Sequence, residues 1–545
     1  METINTNVLI VGAGPTGLSL ACQFIRYGVD FVIVEKKEGV TPFSKAIGVH
    51  ARTLEIYEQL RLAGRATTEG AIAGKVRLLE GGEVLGEVDL SNIGEGLSAY
   101  PYMLVLEQSK NERLLYEYLQ SHGKEVLWHA ELESFSQTES GVTAQVKNLT
   151  GESQVIEASY LLGCDGPKSL VRHALGLSFQ GSTFERLFYV ADVQIDWKFS
   201  HDALHGCLAR NSVVAFFPMK GENHYRIVGA FPEGFDNDEG EVLFEEIERR
   251  IKDEAEIALE ITHVDWFSTY KVHTRHVNKF SEGRCFLAGD SAHIHTPAGG
   301  QGMNTGIQDA YNLAWKMAYV LKGFAGERIL DTYNEERLPN AKRLTETTDR
   351  MFSLAAGSDW FLNLIRTTVF PPMAKFILSF DIVKGKFFRL ISQIDINYRN
   401  GSLSHHAGDG PFEVKAGDRM PYFLVDGKSI YDTLREPKFH LFTFTNSKSD
   451  HQRMRGRIES EFADLIDYQV VPLYPHVAEV FGTTRPFNVL LRPDNYVGFM
   501  SQETGLSGLR VYLKEVIGCP LESSSRFLPV RGGDTSARCL AYSFW

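Results

Sequence analysis

The chain has 545 residues, 43% of them apolar and 23% charged, a balance that excludes widespread disorder and collagen-like architecture. Lysine and arginine number 56 against 69 acidic residues, a net charge of −13, and no long basic run offsets it, so nucleic acid is not expected as a partner. At roughly 150 residues per domain, the chain has room for three or four domains. Its cysteines, Cys22, Cys164, Cys207, Cys285, Cys519 and Cys539, form no C-x-x-C pair. That argues against zinc ribbons and dithiol redox motifs, and scattered thiols suit a cytoplasmic location. The N-terminus lacks the basic, then apolar, pattern of a signal peptide. No apolar run is long enough to span a membrane. The nearest, FLNLIRTTVFPPMAKFILSF from Phe361, is broken by Arg366, Pro371, Pro372 and Lys375 and reads as buried or subunit-contacting helices.

In chain order, Asn7 to Val11 is a β-branched run, followed by a glycine turn, a helical pattern over Thr16 to Tyr27 and a second strand ending at Glu35. This is a βαβ opening. Ala51 to Leu62 and Gln108 to Leu119 read as helices. Glu125 to Cys164 alternates as an antiparallel meander that returns to a buried strand, ASYLLGCDG. LFYVADVQI, SVVAFFPM and YRIVGAF are strands of a sheet inserted between two parts of the first domain, followed by a helix, VLFEEIERRI. GRCFLAGD at Gly283 re-enters the first domain, and a long helix begins near Met303. The polar stretch Asn397 to Glu413 is the best linker, and the remainder is a compact α/β appendix. The expected organisation is a Rossmann-type α/β domain in two parts, 1–180 and 276–396, a β-sheet domain at 181–275, the linker 397–413 and a third domain at 414–545.

The chemistry is concentrated in three motifs. VLIVGAGPTGLSL places Gly12, Gly14 and Gly17 between a strand and a helix that Pro15 and Thr16 open. Gly12 permits the tight turn, Gly14 lets a pyrophosphate approach the backbone, and Gly17 lets helix and strand pack closely. Glu35, with Lys36 beside it, ends the next strand. Its carboxylate can accept from both ribose hydroxyls of an adenosine and would repel a 2′-phosphate. The second motif is GDSAHIHTPAGGQGMNTGIQDAYNLAWK. In it Gly289 and Asp290 end a strand, and Asp290 can accept from a ribityl hydroxyl. Pro297, Gly300 and Gln301 lead into a helix whose amides at Gly302, Met303 and Asn304 could face the electron-poor edge of a flavin. A helix N-terminus there favours negative charge on the reduced ring. The third motif is GCDGPKSLVR, with Asp165, Ser169 and Arg172.

Over roughly residues 7 to 345 the sequence resembles the class A FAD-dependent aromatic hydroxylases, the single-component monooxygenases related to p-hydroxybenzoate hydroxylase. The resemblance rests on these three motifs, the last of which is linked in that family to both FAD and NAD(P)H. It implies FAD contacts from Arg52 in HARTLEIYEQL and Gln108 in EQSKNERLL. It implies another at Lys45 in PFSKAIG, where an arginine is commoner and lysine loses the bidentate fork. AGDRMPYFLVDGKSIYDTL and VLLRPDNYVGF resemble the C-terminal thioredoxin-like domain of phenol- and polyketide-type hydroxylases, without a C-x-x-C. The implied activity is NAD(P)H-dependent hydroxylation of a phenolic or polycyclic aromatic substrate with O2 through a flavin C4a-hydroperoxide. NADH or NADPH would bind transiently, and a homodimer is plausible. Baeyer–Villiger oxidation or antibiotic inactivation by the same oxygen chemistry, and a flavin-binding protein without turnover, are the alternatives.

Tyr189, Phe217, Met219 and Tyr225 in the inserted sheet, with Pro297, are the candidate substrate contacts. Ordinary sheet packing is the competing reading, and His224 or Arg226 could instead meet a polar group. No catalytic side chain is assigned, because the flavin carries the chemistry. The histidines His273, His276, His293 and His295 lack an attendant acidic or thiol cluster, so no metal site is expected, and His293 reads as a structural residue of its loop. His50 reads equally as a flavin-side or a packed residue. Cys164 and Cys285 read as core.

Overall fold

The β-branched N-terminal run forms the centre of a parallel sheet. In the computed structural model, which describes residues 3–44, 46–208, 213–231, 235, 242–356, 381–408, 410–447 and 451–520, strand Thr3–Val11 pairs in parallel with Phe31–Glu35 on one side and Ser153–Gly163 on the other. Cys285–Leu287 and Leu127–Trp128 extend the sheet outward, also in parallel. The expected meander is present, with Glu131–Gln137, Val142–Lys147 and Ser153–Gly163 as antiparallel neighbours. Val8 to Val11 are buried throughout, as a strand covered by helices on both faces must be. Helix Pro15–Tyr27 starts with proline in its first turn and ends at Gly28, whose φ of 62° closes the last turn.

Helix Gly302–Leu321 has no solvent face: every residue from Met303 to Tyr319 is buried. Helix Pro15–Tyr27 covers one side, and Trp315 meets Phe439 of the C-terminal body on another, with ring centroids 5.8 Å apart. A helix enclosed on all sides has to be apolar throughout or satisfy its polar groups internally. This one carries Asp309, Asn312 and Lys316, and each has a buried partner.

The second sheet is antiparallel over His293–Ile294, Leu259–Val277, Phe179–Trp197, His224–Ala230, Val213–Pro218 and Ala203–Leu208. The hairpin Lys75–Glu80 and Glu83–Asp89 joins beyond Ala203–Leu208, so the first part of the chain also contributes to this sheet. Helix Phe244–Ala255 covers one face through Ile247 and Ile251. The C-terminal sheet has the order His405–Ala407, Val497–Ser501, Phe487–Leu491, Phe439–Phe444, Ile466–Val471. The stretch 397–413 is more than a linker. Tyr398 and Leu403 are buried, and His405–Ala407 pairs in parallel with Phe499–Ser501. The segment from Phe361, most of the acidic stretch from Glu233, Lys45 and Cys539 lie outside the described residues. Among the described residues no helix is long and apolar enough to cross a membrane.

The C-terminal body is locked to the first domain by buried charge. Arg492 bonds Glu336 and Asp494, Lys316 reaches Glu336 at 2.7 Å, and Trp315 Nε1 donates to Asp494 at 3.0 Å. Burial pushes the Glu336 carboxyl up, but Arg492 and Lys316 outweigh it and hold its pKa at about 2. A folded-state pKa below the unfolded value adds stability that is full above about pH 4.5 and is lost as pH falls through about 2. Removing one partner of a buried pair costs about 3–5 kcal/mol, because the remaining charges are stranded. Glu336→Gln is therefore expected to lower stability by that order at pH 7. It should also flatten the acid limb between those pH values, read by denaturation followed by circular dichroism.

Candidate flavin and substrate site

The three glycines of the first turn have different reasons to be glycine. Gly12 has φ +103°, and a Cβ on it would sit 2.4 Å from the Cys164 carbonyl oxygen. One on Gly17 would sit 1.9 Å from the Gly12 carbonyl oxygen. Both positions are closed by the protein itself. Gly14 is not: apart from its chain neighbours, no atom of the described residues lies within 4 Å of where its Cβ would be. The open space lies at the start of helix Pro15–Tyr27, whose first amides lack intrahelical acceptors. A pyrophosphate fits such a cradle. Glu35 is 8% exposed at the end of its strand, accepting from the Ala13 amide at 2.9 Å and the Lys37 amide at 3.1 Å. Those two bonds orient the carboxylate beside the turn and leave lone pairs for ribose hydroxyls. Lys36 beside it is exposed.

The second and third motifs converge on this turn. Strand Cys285–Leu287 runs into a tight turn at Gly289–Ser291, where Gly289 has φ +65° and Asp290 is exposed. Thr16 Oγ1 fills the space that a Cβ on Gly289 or on Gly306 would need, at 2.4 and 2.3 Å, so the two motifs interlock. Ser291 donates to the Gly163 carbonyl at 2.6 Å. Arg172 donates to the Ser291 carbonyl at 2.9 Å and to the Pro167 carbonyl at 2.8 Å, while Ser169 caps its helix. Asp165 accepts from the Val171 amide, and burial raises its pKa.

Pro297 is exposed, and Gly299 and Gly300 turn the chain with φ of 74° and 63° into helix Gly302–Leu321. A Cβ on Gly48 would sit 3.6 Å from the Gly300 carbonyl, so the Gly48 segment lies directly against this turn. The Asn304 side chain makes the join. Its Oδ1 accepts from the His50 amide and Thr53 hydroxyl, and its Nδ2 donates to the Gly48 and Gly300 carbonyls. Thus the Asn304 side chain is structural, and the backbone at Gly302 and Met303 supplies the helix N-terminus. Gln301 is buried and accepts from Gln393 Nε2. His50 and His295 flank the turn, and burial lowers both pKa values to about 4, keeping the imidazoles neutral. Gln108 accepts from the Ala46 amide and donates to Glu112, anchoring the loop that precedes Gly48.

Two expectations are corrected. Arg52 does not point at this turn. Its guanidinium is buried, bonds Glu55 and the Asp494 carbonyl, and lies 5.1 Å from the Tyr496 ring centroid. It serves the contact with the C-terminal body. Tyr189 and Tyr225 lie on the face of the second sheet that packs under helix Phe244–Ala255, in one cluster with Ile247 and Ile251. Strand alternation defines two faces without saying which one a helix will cover. Phe217 and Met219 are on the opposite face. Met219 packs on Ile47, Ala73 and Val105 of the first domain. Phe217 is in register with Arg226, which in turn is opposite Asp192, and Asp192 is opposite Trp266. Arg226 grips Asp192 through two bonds of 2.6 Å, and Trp266 Nε1 donates to the same carboxylate at 2.7 Å. Phe43 of the first domain packs on Trp266, with centroids 5.8 Å apart.

The sequence reading missed Asp192, Trp266, Asp309 and Arg337. A buried acid within an apolar helix was the available signal for Asp309. His293 is structural as expected, 1% exposed and bonded to Asp309 at 2.6 Å. No group of three or more potential metal ligands occurs among the described residues.

An open glycine turn thus lies beside the Glu35 carboxylate, and the Gly289–Ser291 turn that carries Asp290 interlocks with it through Thr16. Residues 5–348 match the family model described as FAD binding domain. The chain is 33% identical to a flavin-dependent monooxygenase of Mycobacteroides abscessus, over 94% of this chain and 100% of that one. It is 30% identical to the 6-methylpretetramide 4-monooxygenase of Streptomyces rimosus, over 94% of each. The solved structure of the OxyS anhydrotetracycline hydroxylase from Streptomyces rimosus superposes with a TM-score of 0.75 at 28% identity, covering 95% of this chain and 100% of that one. The chain belongs to the FAD-dependent monooxygenases of the aromatic hydroxylase family.

The glycine geometry separates scaffold from cradle. Gly17→Ala is expected to prevent folding or to unfold the chain at much lower temperature. Gly14→Val should leave the thermal midpoint of the apoprotein unchanged while weakening FAD by about tenfold or more, about 1.4 kcal/mol, measured by flavin fluorescence titration.

Proposed function

We propose that this enzyme hydroxylates an electron-rich aromatic ring, phenolic or within a fused polycyclic polyketide-type skeleton, using O2 and NADH or NADPH. The observation that carries the reading is the apposition of two surfaces. The Phe217–Met219 face of the second sheet reaches the flavin-side turn through Met219 on Ile47 and Gly48 on Gly300. A face that carries Phe217, Met219 and Trp266, with the Arg226–Asp192 pair among them, suits a flat ring bearing a polar group. The two relatives named for polycyclic substrates support it. Nothing in this site favours ring insertion or ligand storage over hydroxylation.

Bound FAD supplies the redox chemistry, taking hydride from the nicotinamide and activating O2. The chain's own groups bind and orient. We assign the pyrophosphate to Gly12, Gly14, Pro15, Thr16 and Gly17, and the adenosine ribose to Glu35 with Lys36 nearby. The ribityl chain falls to Gly289 and Asp290. The turn Pro297–Gln301 and the amides of Gly302, Met303 and Asn304 border the ring, where the helix dipole favours the negative charge of its reduced form. Gln108, Lys45 and Asp165 complete the cofactor set. Phe217, Met219 and Pro297 border the substrate. The strand order of the C-terminal body, two parallel strands followed by two antiparallel ones, supports a thioredoxin-like fold, and without a C-x-x-C its role is structural or oligomeric. The five cysteines among the described residues are free, which suits the cytoplasm.

The test is nicotinamide oxidation in air with a panel of phenols and polycyclic aromatics, with peroxide and product mass measured together. Stimulated oxidation with little peroxide, and a product heavier by one oxygen atom taken from isotopically labelled O2, is expected. Oxidation yielding only peroxide, or a ring-expanded product, would overturn the reading. Phe217→Ala should raise KM about tenfold (about 1.4 kcal/mol of lost contact) and increase the peroxide fraction, while FAD affinity stays as in the parent.

A further inference from the structure

We propose that Asp309 and Arg337 are positioning residues of the flavin site, and that the C-terminal body is what holds them in place. This rests on the assignment of Gly289–Asp290 and Gly302–Asn304 to FAD. Asp309 is 1% exposed, and its carboxylate is divided between two tasks. Oδ2 accepts from the Gly289 amide at 3.0 Å and from His293 Nε2 at 2.6 Å, fixing the turn that presents Asp290. Oδ1 accepts from Arg337 Nε at 2.6 Å. Arg337, also 1% exposed, donates through Nη2 to the Thr305 carbonyl at 3.3 Å, in the first turn of helix Gly302–Leu321. The Asp309 carboxylate therefore ties the Gly289 turn to helix Gly302–Leu321, and the Arg337 guanidinium braces that helix at two points.

Arg337 is itself held from the C-terminal side. Its Nη1 donates to Tyr398 Oη at 2.9 Å, and the Tyr398 ring lies 4.4 Å from Tyr496 and 5.3 Å from the Arg492 guanidinium. The preceding residue, Glu336, is the one that Arg492 grips. Thus consecutive residues of helix Asp331–Ala356 face two ways, Glu336 toward Arg492 and Arg337 toward Asp309. Stability alone is a poor reason for these charges, since apolar replacements of buried ion pairs are often as stable. A carboxylate that must accept the Gly289 amide in one geometry is not replaceable in that way. Burial pushes the Asp309 carboxyl up, but Arg337 and His293 hold it below the ordinary carboxylate range, so it is ionised where the turn needs it.

The experiment uses the holoenzyme and the variants Asp309→Asn, Arg337→Met, Arg337→Lys and Arg492→Met. Arg419→Met is the control, since Arg419 makes a second buried pair across the same two bodies, with Glu55 at 3.0 Å. FAD affinity, the visible flavin spectrum and the flavin midpoint potential are measured well below each variant's unfolding temperature. Asp309→Asn and Arg337→Met are expected to weaken FAD by about tenfold and to shift the spectrum and potential. Arg337→Lys should restore part of the loss, and Arg492→Met should move the same readouts less. Arg419→Met should lower the unfolding temperature only. If Asp309→Asn does not fold, the Arg337→Lys and Arg337→Met pair decides. Unfolding temperatures that fall as in the control, with affinity, spectrum and potential unmoved, would overturn the proposal. Asp290→Asn tells the two failures apart. If it weakens FAD while the Asp309 and Arg337 variants do not, only the positioning claim falls. If it too has no effect, the flavin assignment fails and takes the claim with it.

Discussion

The burial of helix Gly302–Leu321 on every side is the constraint on which the rest of the molecule depends. A helix with no solvent face must find a partner for each polar group it carries. Its N-terminal end follows the Gly299–Gly300 turn, its middle carries Asp309, and its C-terminal half carries Asn312, Trp315 and Lys316. Each partner comes from a different part of the chain: Gly289 and His293, Arg337, Glu336, and Asp494. The helix cannot be enclosed until the first domain, helix Asp331–Ala356 and the C-terminal body have all closed around it.

This explains why the C-terminal body, with no catalytic motif of its own, is held by buried guanidinium–carboxylate pairs. Arg492 with Glu336 and Arg419 with Glu55 have one partner on each side of the interface. Such pairs gain less from attraction than they would lose if one member were stranded, so they act as registration pins. The Gly289 turn, the first turn of the helix and the interface are thereby bonded into one network.

The glycine turn was legible in sequence because its requirement is local: a strand, φ values only glycine tolerates, and a helix starting at once. The same is true of Gly289 and of the meander before Cys164. Arg52 was not legible. Its helix packs on helix Gly302–Leu321, yet its guanidinium bonds the Asp494 carbonyl, 442 residues away. Tyr189 and Tyr225 failed for a different reason. A period of two separates the faces of a strand, and only the position of helix Phe244–Ala255 decides which face is core. The stretch 397–413 looked like a linker by composition, but its backbone adds an edge strand to the C-terminal sheet, a contact composition does not encode.

By itself the sequence determined the βαβ opening, the separate glycine turns at Gly12 and Gly289 and FAD as the cofactor, because glycine conformation and strand periodicity act over a few residues. Only the tertiary structure decided which aromatic residues of the second sheet pack under helix Phe244–Ala255, which partners Arg52 takes, and that Asp309 and Arg337 join the Gly289 turn to the C-terminal body. Those outcomes depend on partners brought together by enclosure of one helix, and burial is a property of the whole packed chain.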